Sequence, residues 1–184
     1  MDNQCSWNLH IDITCSKINR FSYALWRLTK ICTLKTALQA YHGYVASNIR
    51  YCIPLWGNSS HINRVFIAQK QCVRAMCNIH PLTSCKPFFQ KHNILTVPSI
   101  YIQECCLFVK KHPQLYKSCG EYCQFNTRYP TKLMLPSINT RYYHTNCYPM
   151  TIRIFNKIPN SIRDLPLTQF KRKLYLWLID KAYL

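Results

Sequence analysis

Acidic side chains are scarce in this 184-residue chain, which contains only six of them. They are Asp2, Asp12, Glu104, Glu121, Asp164 and Asp180. Nucleotide transfer needs acidic side chains that converge on two divalent metal ions. No two of these acids are adjacent, and no pair of aspartates stands at a plausible strand turn. The sequence therefore predicts no such catalytic centre within this chain.

Long apolar runs are also absent. Because a membrane-spanning helix needs about 18 consecutive apolar residues or more, we expect no membrane span. The first four residues are polar and no apolar signal core follows them, so we expect an intracellular protein of the cytoplasm or nucleus. Its twelve cysteines are then expected to be reduced, and most of them to lie on apolar helix faces, as Cys15, Cys32, Cys52, Cys72 and Cys105 do.

Positive charge is in large excess. Lysine and arginine number 24 against six acids, which gives a net charge of +18. A basic protein gains affinity for a phosphate backbone by releasing the counterions condensed on it, so the imbalance indicates an anionic partner. The alternative is a basic surface with no dedicated partner. Apolar residues make up 48% of the chain, which favours a folded core over disorder.

Apolar periodicity predicts a first helix from Asn8 or Ile11 to Ile31. Its apolar face is formed by Ile18, Phe21, Leu25, Leu28 and Cys32. The opposite arc carries Lys17, Arg20, Arg27 and Lys30. A helix with one apolar and one cationic face can lie along a nucleic-acid duplex, or it can be an ordinary solvated surface helix.

Two more helices are predicted around a turn at residues 54–58. The apolar stripe of the second helix consists of Leu34, Leu38, Tyr41, Val45, Ile49 and Cys52, and that of the third of Ile62, Val65, Phe66, Gln69, Val73 and Met76. Arg64, Lys70 and Arg74 lie mostly outside the third stripe. Trp56 and Tyr44 are expected to shape the turn.

Downstream, Pro98 suits the first turn of another helix, and Pro113 ends it. From Gln114 to Tyr148, tyrosines alternate with lysines and arginines, and periodicity disappears. Such a segment can stack unpaired bases on its rings, or it can be a loop fastened to the core by its tyrosines. A last helix then presents Lys171, Arg172 and Lys173 outward.

Two sets of cysteine and histidine residues are candidate zinc ligands. The first is Cys72, Cys77, His80 and Cys85, and the second is Cys119, Cys123, His144 and Cys147. The first set lacks the usual close pair of ligands, and twenty residues separate the two pairs of the second set. Their spacings argue against zinc. No pattern marks a nucleophile on a strained turn, so nucleophilic catalysis has no support.

Short motifs occur in a consistent order along nearly the whole chain. They are residues 6–12 (SWNLHID), 40–44 (AYHGY), 50–51 (RY), 55–59 (LWGNS), 67–70 (IAQK), 84–87 (SCKP), 94–101 (ILTVPSIY), 126–130 (NTRYP), 156–159 (NKIP), 165–167 (LPL) and 170–174 (FKRKL). In order and spacing the chain resembles the region that follows the palm in reverse transcriptases of non-LTR (LINE) retrotransposons, closest to jockey-like elements. Family members often carry glycine at the positions of Cys52 and Asn78.

The resemblance implies a mainly α fold. It implies a helical thumb-like domain over residues 1–112, an irregular basic and aromatic segment over 113–150, and a C-terminal helical tail over 151–184. The family's palm, with its paired aspartates and magnesium, would lie upstream. The chain itself would then hold no catalytic residue, metal or other cofactor, although the family is an RNA-directed DNA polymerase.

The implied function is binding of an RNA or DNA template–primer, alongside the remainder of the reverse transcriptase and away from membranes. We expect phosphate contacts from Lys17, Arg20, Arg27, Lys30, Arg64, Lys70 and Arg74. The alternative function is that of a non-catalytic helical interaction protein, or of a decayed transposon remnant with no activity.

Overall fold

The computed structural model of the protein describes residues 7–122, 131–137 and 146–181. In these ranges the chain is mainly α-helical, as the sequence predicts, and it forms no β-strand there beyond an isolated antiparallel bridge between Ser118 and Leu133. The chain divides into two compact units, residues 1–101 with 178–184 and residues 102–177. The predicted boundaries at residues 112 and 150 stay predictions. None of the described helices is long and apolar enough to cross a membrane.

The helices of the first unit are α1 (Asn8–Ile31), α2 (Leu34–Ala40), a π-helical turn (Tyr41–Ala46), α3 (Ser47–Arg50), α4 (Ile53–Trp56), α5 (Ile62–Cys77), α6 (Lys86–Lys91) and the start of α7 (Val97–Lys111). Helix α1 has the predicted bounds, and it packs mainly against α5. Its buried stripe includes Ile11, Ile18 and Leu25, all with no exposed surface. The Cys72 thiol of α5 donates to the Ile18 carbonyl at 3.4 Å, which fixes the two helices face to face.

The second predicted helix is realised as α2, the π-helical turn and α3 in direct succession. Tyr41, Val45 and Ile49 are fully buried although they are four residues apart, a spacing that drifts around a regular α-helix. The wider π turn corrects that drift. The stripe ends at Ile49, because α3 stops at Arg50.

Cysteine burial follows the prediction at three of the five named positions. Cys15, Cys72 and Cys105 are buried, but Cys32 and Cys52 are exposed, so the prediction was wrong for these two. Cys32 directly follows the last residue of α1, and Cys52 lies between α3 and α4. A periodic stripe extrapolated beyond a helix end no longer identifies the buried face.

Three residues other than glycine have left-handed backbone conformations in the described ranges. They are Cys52 (φ 51°), Asn78 (φ 50°) and Asn93 (φ 54°). Asparagine tolerates this region better than most residues, whereas a cysteine there is costly.

The second unit contains the rest of α7, a 3-10 turn (Pro113–Leu115), α8 (Cys119–Tyr122), α9 (Cys147–Lys157), α10 (Asn160–Arg163) and most of α11 (Leu167–Asp180). Phe155 and Phe170 meet in its core, with ring centroids 6.2 Å apart. Lys110 donates to the Leu165 carbonyl at 3.1 Å and places its ammonium 5.3 Å from the Phe170 ring.

Tyr116 and Tyr148, two of the alternating tyrosines, pack within the second unit. The Tyr116 ring stacks on that of Tyr148 at 5.2 Å, and the two hydroxyls bond to Thr151 and to the Leu115 carbonyl, respectively. At these two tyrosines the segment is fastened to the core. Tyr129, Tyr142 and Tyr143 lie outside the described residues.

Candidate nucleic-acid interface

The exposed face of α1 carries four of the seven predicted contact residues. Lys17, Arg20, Arg27 and Lys30 are all exposed, on the arc opposite the buried stripe. No acid occurs between Ile13 and Ile31. From Lys17 to Lys30 the helix rises about 20 Å at about 1.5 Å per residue. The stripe that packs on α5 thus fixes an elongated cationic face on the other side of α1.

The charge of this face is not neutralised within the described part of the protein. None of the four cations forms an ion pair with a described residue. Lys30 places its ammonium 5.6 Å from the Trp26 ring, an arrangement that leaves its charge in place. Four like charges on one helix face repel one another, so an anion that binds there relieves this repulsion.

The three predicted contact residues of α5 are placed differently. Arg64 lies 2.6 Å from the Asp12 carboxylate (Nη2 to Oδ1), with about half of each side chain exposed. Arg74 donates to the Thr83 carbonyl at 3.3 Å, and the Lys70 ammonium lies 4.5 Å from the Phe66 ring. Each of the three therefore already has an intramolecular partner, whereas the α1 cations are presented to solvent as a group.

Two aromatic residues of α1 were missed by the sequence reasoning. Tyr23 and Trp26 have 64% and 36% of their surfaces exposed, and their ring centroids are 5.9 Å apart with planes 33° from parallel. They are three residues apart, and Arg27 and Lys30 each follow one of them by four. Since residues at these intervals are neighbours on a helix surface, the spacing was a usable signal.

Trp56 lies at the turn, as expected, whereas Tyr44 lies in the π-helical turn and packs against α1. Trp56 is fully buried, and its indole N–H donates to the Tyr51 carbonyl at 2.8 Å. The Tyr44 ring stacks on Phe21 at 4.2 Å between centroids. Both rings are therefore engaged in packing, and neither extends the cationic face.

His10 lies next to the start of this face. Its ring is 5.3 Å from that of Trp56, and its pKa is lowered by burial and, to a smaller extent, by Lys17. A histidine with a lowered pKa is neutral at pH 7, so it adds no charge to the interface there.

Among the described residues, no group of three or more histidine, cysteine or acidic side chains is arranged to hold a metal ion. That region includes the whole first zinc candidate, Cys72, Cys77, His80 and Cys85, whereas Cys123 and His144 of the second lie outside it. Burial raises the pKa of the Cys72 and Cys106 thiols to about 12. Both are thus neutral at pH 7, and a neutral thiol is neither a good nucleophile nor a metal ligand.

Comparison of the chain with known protein families, with curated proteins and with solved structures gave no match.

Proposed function

We propose that this chain is the thumb and post-thumb part of a non-LTR retrotransposon reverse transcriptase, and that it binds the template–primer duplex without catalysing a reaction itself. The observation that carries the proposal is the exposed face of α1 formed by Lys17, Arg20, Arg27 and Lys30, within a stretch from Ile13 to Ile31 that contains no acid. Palm aspartates elsewhere in the enzyme would perform the chemistry. The chain would work inside the cell, in the cytoplasm or nucleus.

The dimensions of the face suit the backbone of a duplex. A length of about 20 Å corresponds to about six base pairs at about 3.4 Å each. Lysine and arginine side chains contact phosphates without reading the base sequence. A polymerase needs contacts of this kind, because it must bind every sequence that it copies.

The backbone at Cys52 and Asn78 also supports the family proposal. Glycine is the residue that adopts left-handed conformations at least cost, and both residues adopt them here. A family pattern with glycine at these positions is therefore compatible with this backbone. The support is independent of charge.

The salt dependence of binding tests the proposed interface. The variant with Lys17, Arg20, Arg27 and Lys30 all changed to alanine should bind a blunt RNA–DNA hybrid more weakly than the parent. Loss of four phosphate contacts should flatten the plot of log affinity against log salt by about 3 to 4 units. Fluorescence anisotropy of a labelled hybrid over a series of salt concentrations measures both quantities.

A charge-matched control separates a specific face from general positive charge. Lys86, Lys91, Lys111 and Lys117 are exposed and lie outside α1, and changing all four to alanine removes the same net charge. This control should keep a slope close to that of the parent. Equal losses in the two variants, or no loss in the α1 variant while its circular dichroism stays unchanged, would contradict the proposed interface.

Exposed apolar side chains favour a second candidate, a helical interaction protein that binds no nucleic acid. Leu9 and Ile31 on α1 have 64% and 77% of their surfaces exposed. Contact through such side chains is apolar, so it would persist at high salt. Failure of the folded parent protein to bind the hybrid even at low salt would favour this candidate over the first.

A further inference from the structure

The exposed rings of Tyr23 and Trp26 stand at one end of the cationic face of α1. Their centroids are 5.9 Å apart, and the Lys30 ammonium lies 5.6 Å from the Trp26 ring on the next helical turn. Arg27 lies on the same exposed side. The structure thus places two partly exposed aromatic rings among cations, which none of the sequence motifs indicates.

This combination suits an unpaired nucleotide better than a duplex. In a duplex each base is already stacked between its neighbours, so phosphates are what it offers to a helix surface. An unpaired base has free faces that stack on tyrosine and tryptophan rings, while its phosphates are attracted by neighbouring cations. A protein partner is less well matched, because nineteen residues from Ile13 to Ile31 include four cations and no acid.

We propose that Tyr23 and Trp26 form a stacking site for an unpaired nucleobase, with Arg27 and Lys30 bound to the phosphates beside it. The inference deepens and rests on the proposed function, since it assigns the duplex backbone and the single strand to different parts of one helix. In a blunt hybrid all four cations contact duplex phosphates. At a junction Lys17 and Arg20 stay on the duplex, while Arg27, Lys30 and the aromatic pair hold the strand that leaves it. The preferred ligand is therefore a junction between duplex and single strand.

The test uses the full chain and two probes, a blunt RNA–DNA hybrid and an oligodeoxythymidylate of about ten nucleotides. Changing Tyr23 and Trp26 together to alanine should weaken binding of the oligodeoxythymidylate about tenfold or more, because one stacked base is lost. Binding of the blunt hybrid should change less than about twofold, because phosphate contacts dominate it. The paired change to phenylalanine, which keeps both rings, should retain most of the affinity.

Leu9 and Ile31 supply the matched control, since they are large, apolar and exposed on the same helix. Their joint change to alanine should leave both affinities unaltered. Tryptophan fluorescence gives a second reading, because stacking quenches an indole. The oligodeoxythymidylate should quench the parent more than the Trp26→Phe variant, which retains the other three tryptophans.

Each outcome separates this inference from the function on which it rests. The stacking site is overturned, even when hybrid binding is normal, if the parent does not bind the oligodeoxythymidylate. It is also overturned if the double alanine variant binds that probe as tightly as the parent does. Equal losses for both probes also overturn it. If the hybrid is not bound but the oligodeoxythymidylate is bound through these rings, the stacking site stands and the duplex-binding proposal fails.

Discussion

The Gln69 side chain donates a 2.8 Å hydrogen bond to the Tyr41 hydroxyl, and both side chains are fully buried. The same amide nitrogen donates to the Leu95 carbonyl at 2.8 Å, and the amide oxygen accepts from the Val97 N–H at 2.9 Å. One buried amide of α5 therefore joins the π-helical turn to the start of α7. The apolar surroundings raise the pKa of Tyr41, so the hydroxyl stays protonated.

Replacement of Gln69 by leucine should lower the free energy of unfolding by about 3 kcal/mol or more, because three buried polar groups lose their partner at about 1 kcal/mol or more each. Urea unfolding measures the change. Gln71→Leu, at an exposed position of the same helix, should stay within about 0.5 kcal/mol of the parent. Similar losses in the two variants would show that the network contributes little.

Gly43 and Gly57 should respond oppositely to replacement by alanine. A Cβ at Gly57 would lie 2.7 Å from the Ile53 carbonyl oxygen and would collide with the Tyr101 ring, whereas one at Gly43 meets nothing within 4 Å. We expect Gly57→Ala to lower stability by about 2 kcal/mol. Gly43→Ala should raise it by about 0.5 kcal/mol, because alanine loses less entropy in a helix. Thermal unfolding of both variants checks the two signs.

Left-handed backbone at Cys52 makes glycine the better residue there. Cys52→Gly should raise the free energy of unfolding by about 1 kcal/mol, because glycine avoids the clash of Cβ with the carbonyl. Cys32 is the control, since it is also exposed but has an extended backbone with φ −119°. Cys32→Gly should lower stability slightly. Chemical denaturation measures both changes. A Cys52→Gly variant that is less stable than the parent would contradict the interpretation.

The ion pair of Asp12 with Arg64 should compete with nucleic acid for the guanidinium. Asp12→Asn should strengthen binding of the RNA–DNA hybrid by about two- to fivefold, because an exposed pair is worth up to about 1 kcal/mol. Anisotropy at low salt measures the gain. Asp180→Asn removes the same charge at another exposed position, so an equal gain there would indicate general charge and not release of Arg64.

The free energy of unfolding at alkaline pH should depend on the ionisation of the buried Cys72 thiol. Burial raises its pKa in the folded protein to about 12 from an ordinary value of 9.0. Its stabilising effect is thus complete below pH 9 and is lost as pH rises toward 12, at up to about 1.4 kcal/mol per pH unit. Cys72→Ala should show a shallower decline than the parent in urea unfolding from pH 8 to 10.5. Parallel declines would contradict the assignment.

Much of the fold could be predicted from periodicity, since α1 has the predicted bounds and Ile18 and Leu25 are buried as expected. The outward position of the four α1 cations follows from the same pattern. The pairing of Arg64 with Asp12 could not be predicted, because it depends on the register between α1 and α5. The burial of Cys52 was wrongly predicted, because a helix end depends on capping and backbone conformation that periodicity does not show.

The π-helical turn at Tyr41–Ala46 sets how the buried residues before it are oriented around the helix axis relative to those after it. A π turn contains about one more residue than an α turn, so it takes up one extra residue without rotating the segment before it relative to the segment after it. Ala37 and Ile49, which are both buried, would lie about 120° apart around the axis if the same residues formed a regular α-helix at about 100° per residue. Deleting one residue within the π-helical turn should therefore give a regular α-helix that keeps both residues on the buried side, whereas inserting one residue into α2 would turn them apart by about 100°.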